Sequence, residues 1–182
     1  MAVKSILKMG NPRLYEVSAS VNSEQLSNLD ETIQDMIDTM DAADGAGLAA
    51  PQIGIMKRIV IFGVENNPRY PHAHSVPFTI LINPEIEYLS DEIDYGWEGC
   101  LSVPGLRGLV PRNTQIRYRG LNQKGEAIDR TVTGFHARVV QHECDHLDGI
   151  LFPMRVEDMK SLGFEDQLKH LWLDCPPTQP DD

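Results

Sequence analysis

The sequence predicts an α+β fold: small, mostly antiparallel β-sheets packed around a central helix, with one helix near the N-terminus and another near the C-terminus. Three observations predict it. Apolar residues recur at helical spacing in three separated stretches, near residues 23–43, 133–149 and 160–173. Between the first two lie several short β-branched or alternating runs, each closed by Gly, Pro or Asn. Turns, not helical crossovers, join these runs, which favours antiparallel pairing over βαβ units.

Taken in order, residues 1–22 read as an irregular entry with a turn signal at Gly10-Asn11-Pro12. From Ser23 to Ala43, Leu26, Leu29, Ile33, Met36, Ile37 and Met40 form one buried helical face, the methionines serving as core filler. Asp30, Glu31, Gln34, Asp35 and Asp38 form the solvent face, and Gly45 is the expected helix stop. The stretch Gly45-Ala46-Gly47-Leu48-Ala49-Ala50-Pro51-Gln52-Ile53-Gly54 reads, on composition, as a tight connection into a strand. It is not a phosphate-binding loop, because no Gly-Lys-Ser/Thr follows.

Arg58 to Val64 is that strand. Residues 65–77 read as a surface loop in which His72 and His74 are solvated. Phe78 to Asn83 and Glu85 to Leu89 are two strands parted by Pro84, and Trp97 to Gly105 carries an extended stretch into a turn. Gln115 to Arg119 and Ala127 to Val132 alternate, with hairpin chemistry at Asn122-Gln123-Lys124-Gly125. The central helix starts at the N-cap candidate Thr133, presents Phe135, Val139, Val140, Cys144 and Leu147 on an apolar flank, and closes at Gly149. Residues 160–173 form a last helix with Leu162, Leu168 and Leu171 inward. Residues 1–174 are thus expected to form one catalytic domain. Residues 175–182, an acidic, proline-rich tail, are expected to be disordered.

Composition excludes several function classes. A net charge of −11 argues against stable nucleic-acid binding, which needs clustered Lys and Arg, and limits any ribosome contact to a transient encounter. No apolar run is long enough to span a membrane. The lysines within Met1-Ala2-Val3-Lys4-Ser5-Ile6-Leu7-Lys8 break up any signal-peptide core. Three cysteines without framework spacing point to a reducing cytoplasm, with Cys175 a free surface thiol and Cys144 a core residue.

The chemistry concentrates in Gln141-His142-Glu143-Cys144-Asp145-His146-Leu147-Asp148-Gly149, a His-Glu-x-x-His pattern. On a helix, His142 and His146 stand one turn apart and can grip one metal ion, while Glu143 reaches a water at its open position. A catalytic metal of this kind needs a third protein ligand. The longer protease pattern puts a histidine where this chain has Phe152, so that reading fails. Two candidates stay open: Glu165, which would make the protein a zinc endopeptidase, and Cys100 on the Glu98-Gly99-Cys100 turn.

Gly45-Ala46-Gly47-Leu48-Ala49-Ala50-Pro51-Gln52, Glu98-Gly99-Cys100-Leu101-Ser102 and Gln141-His142-Glu143-Cys144-Asp145-His146 together resemble the three signature motifs of the peptide deformylases, in that family's order. The resemblance also takes in Pro111-Arg112 and Gly134. It implies that Cys100, His142 and His146 hold the metal, Fe²⁺ in cells with Zn²⁺, Ni²⁺ or Co²⁺ able to substitute. It implies Glu143 as general base and acid, and the Gln52 amide and Leu101 N–H as donors to the developing oxyanion. Gly45, Gly47, Gly99, Arg107 and Arg138 are the implied substrate contacts. The reaction would hydrolyse the N-formyl group of formyl-methionyl nascent peptides and release formate, in a cytoplasm of bacterial type with an organellar origin left open. Glu98 is expected to be a structural partner for an arginine such as Arg112, and Asp145 either orients a ligand or caps the helix. Ala46, His136 and Arg138 depart from the common bacterial pattern, which bears on the width of the methionine pocket.

Overall fold

Residues 2–65 and 75–172 are described by the structure, a computed structural model. Their helices are α1 (Ser23–Leu26), α2 (Asp30–Ala42), α3 (Gly134–Leu147) and α4 (Glu165–Trp172). The strands are β1 (Gly47–Ala49), β2 (Ile59–Val64), β3 (Val76–Tyr88), β4 (Ile93–Cys100), β5 (Val103–Asn113), β6 (Gln115–Leu121), β7 (Ala127–Thr133) and β8 (Leu162–Phe164). They form a five-stranded sheet in the order β1-β2-β3-β6-β7 and a three-stranded sheet in the order β4-β5-β8. All these strand pairings are antiparallel.

Strand β2 shows how the larger sheet is sandwiched. Alternate residues of a strand face opposite sides, and here both sides are apolar. Ile59 and Ile61 pack with Ile33, Met36 and Met40 of α2. Val60 and Phe62 pack with Ala137, Val140, Cys144 and Leu147 of α3. A third cluster joins Cys100, Val103 and Val110 of the smaller sheet to Leu14, Leu151 and Phe152. The opposite side of α3 turns towards that cluster, with the His142 ring stacked 6.4 Å from Phe152. Helix α3 therefore lies between the two sheets, as the predicted α+β arrangement requires.

Several predicted elements change in detail. The first helix is two, because Ser27 Oγ and Asn28 Nδ2 both donate to the Glu24 carbonyl and end α1 by competing with its backbone bonds. Asp35 is buried, not on the solvent face, where it accepts from Ala2 N and pairs with Lys4. The left-handed residue after α2 is Asp44 (φ 50), not Gly45. Gly45 is needed for space, since a Cβ there would stand 3.0 Å from Leu101 Cδ1. The two strands on either side of Pro84 are one strand, β3. Its register shifts at Asn83 (φ 51), whose side chain both donates to and accepts from the backbone of Val21. The absent N–H of Pro84 thus produces a bulge, not an end.

The smaller sheet was the less legible of the two. The turn after β4 is Leu101-Ser102, and the chain returns as the eleven-residue β5, a strand that periodicity did not reveal. The last helix starts at Glu165, because Leu162–Phe164 pairs with Leu106–Gly108 of β5. Leu168 packs by Gly163, whereas Leu171 is exposed. Thr133 holds the N-cap position of α3 without a side-chain cap bond, and Gly149 (φ 72) follows the helix in a left-handed conformation against Tyr15. The expectations for His72, His74 and the tail from Cys175 lie outside the described residues.

Candidate metal centre and active site

Helix α3 presents His142 and His146 one turn apart, with Glu143 about 100° round from His142 at the border of its apolar flank, and the β4–β5 turn brings Cys100 to meet them. The ligating atoms of Cys100, His142 and His146 lie within 4.8 Å of one another, all three residues being buried. Cys100 Sγ is 3.3 Å from His146 Nε2. This donor set, one sulfur and two imidazole nitrogens on rigid elements, fits a borderline-soft divalent ion and leaves room for a fourth, non-protein ligand. Burial alone would raise the Cys100 thiol, but the facing imidazoles of His146 and His142 hold it well below the usual thiol range.

Two of these three residues are held by neighbours, whereas His146 Nδ1 is buried without a hydrogen-bond partner among the described residues. His142 Nδ1–H donates to Glu98 Oε2 at 2.8 Å, which leaves Nε2 as the free lone pair. Cys100 Sγ accepts from Ser102 N at 3.4 Å and from Gln52 Nε2 at 3.5 Å. Gln52 is itself fixed, since its Oε1 accepts from Ala49 N at 2.8 Å while Nε2 also donates to Ser102 Oγ at 3.1 Å. The Gly45–Gly54 stretch thus delivers a buried amide to the Cys100–His142–His146 cluster. Its short turn Ala50–Ile53 ends at Gly54, whose φ of 80 favours glycine.

Behind the ligands runs a buried ionic network. Glu98 accepts from Arg112 Nε and Nη2 at 2.9 and 3.0 Å, and from Arg138 Nη1 at 3.0 Å. Burial would raise Glu98, but Arg112 and His142 hold it well below the ordinary carboxyl range. Arg112 Nη1 continues to Asp145 Oδ2 at 2.6 Å, and Asp145 also pairs with Arg155. The expected Glu98–Arg112 pair is present. Among the described residues the Asp145 side chain bonds neither a histidine nor a helix-end amide; it anchors two arginines. Arg155, which sequence reasoning missed, carried no motif signal, and a buried acid's partner from a distant turn leaves none.

Glu143 has the environment of a working carboxyl. It is 5% exposed and its Oε2 is buried without a hydrogen-bond partner among the described residues. Burial pushes its pKa up to about 7, against the lowering effect of His142 and His146. A cavity of about 40 Å³ opens beside it, with Gln52, Glu98, Cys100, Leu101, His142 and Glu143 on its polar and ligand-bearing side. Ala46, Trp97, Phe135 and Val139 form its apolar walls. Of the predicted substrate contacts, Gly47, Gly99 and Arg138 line this cavity. Gly45 and Arg107 do not. Arg107 is 1% exposed and donates to Glu165 Oε1 at 2.9 Å.

That last pair corrects the endopeptidase alternative. Glu165 begins α4, faces Arg107, and has no place in the Cys100–His142–His146 cluster. Cys144 lies in the core with Val140 and Leu147, on the flank away from the ligands.

Comparison with known proteins identifies the family. A family model described as polypeptide deformylase matches residues 3–162. The chain is 58% identical to peptide deformylase 1 of Nitrosomonas europaea over 91% of its own length and 94% of the relative's. It is 61% identical to peptide deformylase 2 of Ralstonia nicotianae over the same shares. A crystal structure of the class I type b peptide deformylase of Acinetobacter baumannii with Met-Ala-Ser bound superposes with a TM-score of 0.80 at 41% identity, covering 85% of this chain and 99% of that one. Removal of the formyl group from N-formyl-methionyl peptides is the function of that family, and a match this long places the helix and both turns within it: the chain belongs to the polypeptide deformylase family.

Proposed function

We propose that this protein hydrolyses the N-formyl group from the initiating formyl-methionine of new polypeptides, releasing formate and a free α-amine. The convergence of Cys100 from a hairpin turn with His142, Glu143 and His146 from one helix carries this reading. Cys100, His142 and His146 would hold a single divalent ion, Fe²⁺ in the cell, with Zn²⁺, Ni²⁺ or Co²⁺ able to substitute. Such an ion supplies Lewis acidity, which activates water and polarises the formyl carbonyl.

The chain's own residues supply the rest. Glu143 accepts a proton from the attacking water at its carboxylate and returns it to the departing amine nitrogen. The Leu101 backbone N–H and the Gln52 side-chain amide donate to the developing oxyanion; Gln52 is oriented by Ala49 N and turns to the oxyanion the Nε2 hydrogen that otherwise makes its long, 3.5 Å bond to Cys100 Sγ. The apolar walls receive the methionine side chain, and Gly47 and Gly99 let the peptide backbone approach. A formyl carbon carries only hydrogen, so a site closely fitted around it would exclude bulkier acyl groups on steric grounds.

The thiols Cys100 and Cys144 are unpaired, in keeping with a reducing cytoplasm. No helix among the described residues is long and apolar enough to cross a membrane. The substrate is a nascent peptide met transiently at the ribosome. The test is to incubate the anaerobically prepared iron form with formyl-Met-Ala-Ser and assay free amine. Stoichiometric amine and formate are expected, and no release would overturn the proposal.

A further inference from the structure

Arg138 was expected to touch substrate, but its hydrogen bonds argue otherwise. Nη1 donates to Glu98 Oε1 at 3.0 Å and to the Val110 carbonyl at 2.8 Å. Nη2 donates to the Asp94 carbonyl at 2.8 Å and to Asp94 Oδ2 at 3.1 Å. All four Nη hydrogens are thus committed within the protein, so the end of the guanidinium offers nothing to a peptide. The group lies flat over Gly96 of β4, where an added Cβ would stand 2.6 Å from Cζ and 2.7 Å from Nε. Only a glycine at 96 leaves that space.

We propose that Arg138, seated on Gly96, is a positioning residue for the metal ligand His142, acting through Glu98. Glu98 presents one oxygen to His142 and the other to Arg138, with Arg112 bridging both. Arg112 alone fixes the plane of the carboxylate. Arg138 ties that plane to β4 and β5 through Asp94 and Val110, so the imidazole is aimed by the smaller sheet as well as by its own helix. This fits the general rule that a partner of a ligating histidine, once lost, costs 10- to 100-fold in metal affinity. The inference rests on the metal-centre assignment proposed above, and its first readout needs no catalysis.

The test uses the full chain loaded with Co²⁺, whose absorption spectrum reports the geometry of its ligands. Metal affinity, the Co²⁺ spectrum, and kcat and KM for formyl-Met-Ala-Ser are compared for wild type, Arg138→Leu, Arg138→Lys and Gly96→Ala. Gly96→Ala displaces the end of the Arg138 side chain without removing the residue, so it tests the same contact by an independent route. Arg138→Leu and Gly96→Ala are expected to lose about 10-fold or more in metal affinity and to alter the spectrum, with KM changed less than twofold. Their combination is expected to be no worse than Arg138→Leu alone, because both remove one interaction. Arg138→Lys, which reaches one acceptor group but not all of them, falls between. A raised KM with unchanged metal affinity and spectrum would overturn the proposal and make Arg138 a substrate contact. Additive losses in the double variant would also overturn it. Wild type that binds Co²⁺ tightly yet fails to deformylate would count against the proposed function, not against this inference.

Discussion

Gly47 and Glu143 meet at a contact that only a glycine permits: a Cβ on Gly47 would stand 2.4 Å from Glu143 Oε1. The Gly45–Gly54 stretch and the helix are therefore coupled through the carboxyl proposed as the general base. Gly47→Ala is expected to push that carboxylate out of place and lower kcat by about 100-fold, the scale of a misplacement near 1 Å. Metal content should be unchanged, because no ligand moves. Measuring kcat alongside bound metal checks this, and an unaltered kcat would contradict it.

The third ligand is distinguished from its former rival by metal content alone. Cys100→Ala is expected to purify without stoichiometric metal, whereas Glu165→Ala keeps it, since Glu165 faces Arg107 and not the cluster. Metal analysis of both variants gives the answer. The reverse pattern would restore the endopeptidase reading.

Arg112 and Arg155 share Asp145 but should differ greatly in stability cost. Arg112 is 5% exposed and is the one arginine that pairs with both Glu98 and Asp145, so Arg112→Ala removes a buried partner from two buried carboxylates at once, at a cost of about 3–5 kcal/mol. Arg155 is 42% exposed, so Arg155→Ala should cost under about 1 kcal/mol. Urea unfolding of the two variants measures the difference. Equal losses would mean that the network does not end at a solvent-screened arginine.

His136 gives the fold a pH dependence apart from catalysis. Its ring is held to a pKa of about 4 by burial and by the Arg130 charge, against an ordinary value of 6.5. As pH falls from 6.5 towards 4, the unfolded chain takes up a proton that folded His136 refuses, so stability drops across that window. Between pH 7 and pH 5 the loss should be about 1 kcal/mol after discounting for the partly solvated ring, or about 3 °C in Tm. His136→Leu is expected to flatten that part of the profile. A parallel profile in the variant would show that His136 does not titrate between the two states.

Local chemistry wrote itself into the sequence, and long-range partnership did not. The i, i+4 histidines, the apolar flank of α3, β2 and the Asn122–Gly125 hairpin all rest on neighbours a few residues apart, so periodicity and turn residues revealed them. Strand β5 escaped because Pro104, Gly105, Gly108 and Pro111 break its alternation, and its strand character comes from pairing with β4 and β8. The Asn83–Pro84 bulge reads as a strand end until Val21 supplies the missing bonds. In the site, Cys100 was one of two candidates on the residues alone, and the family resemblance chose between them. Arg107 and Arg138, polar residues near motifs, read as substrate contacts although burial and ion pairing occupy both.

Glu143 is proposed to work as a proton carrier beside a metal held by three other residues. That role is tested most directly by measuring bound metal and formyl-Met-Ala-Ser turnover on the same preparations of wild type and Glu143→Ala. One metal ion is expected in each, with a loss of activity of about 10²- to 10⁴-fold in the variant, the usual contribution of a general base. Equal turnover at equal metal content would contradict it.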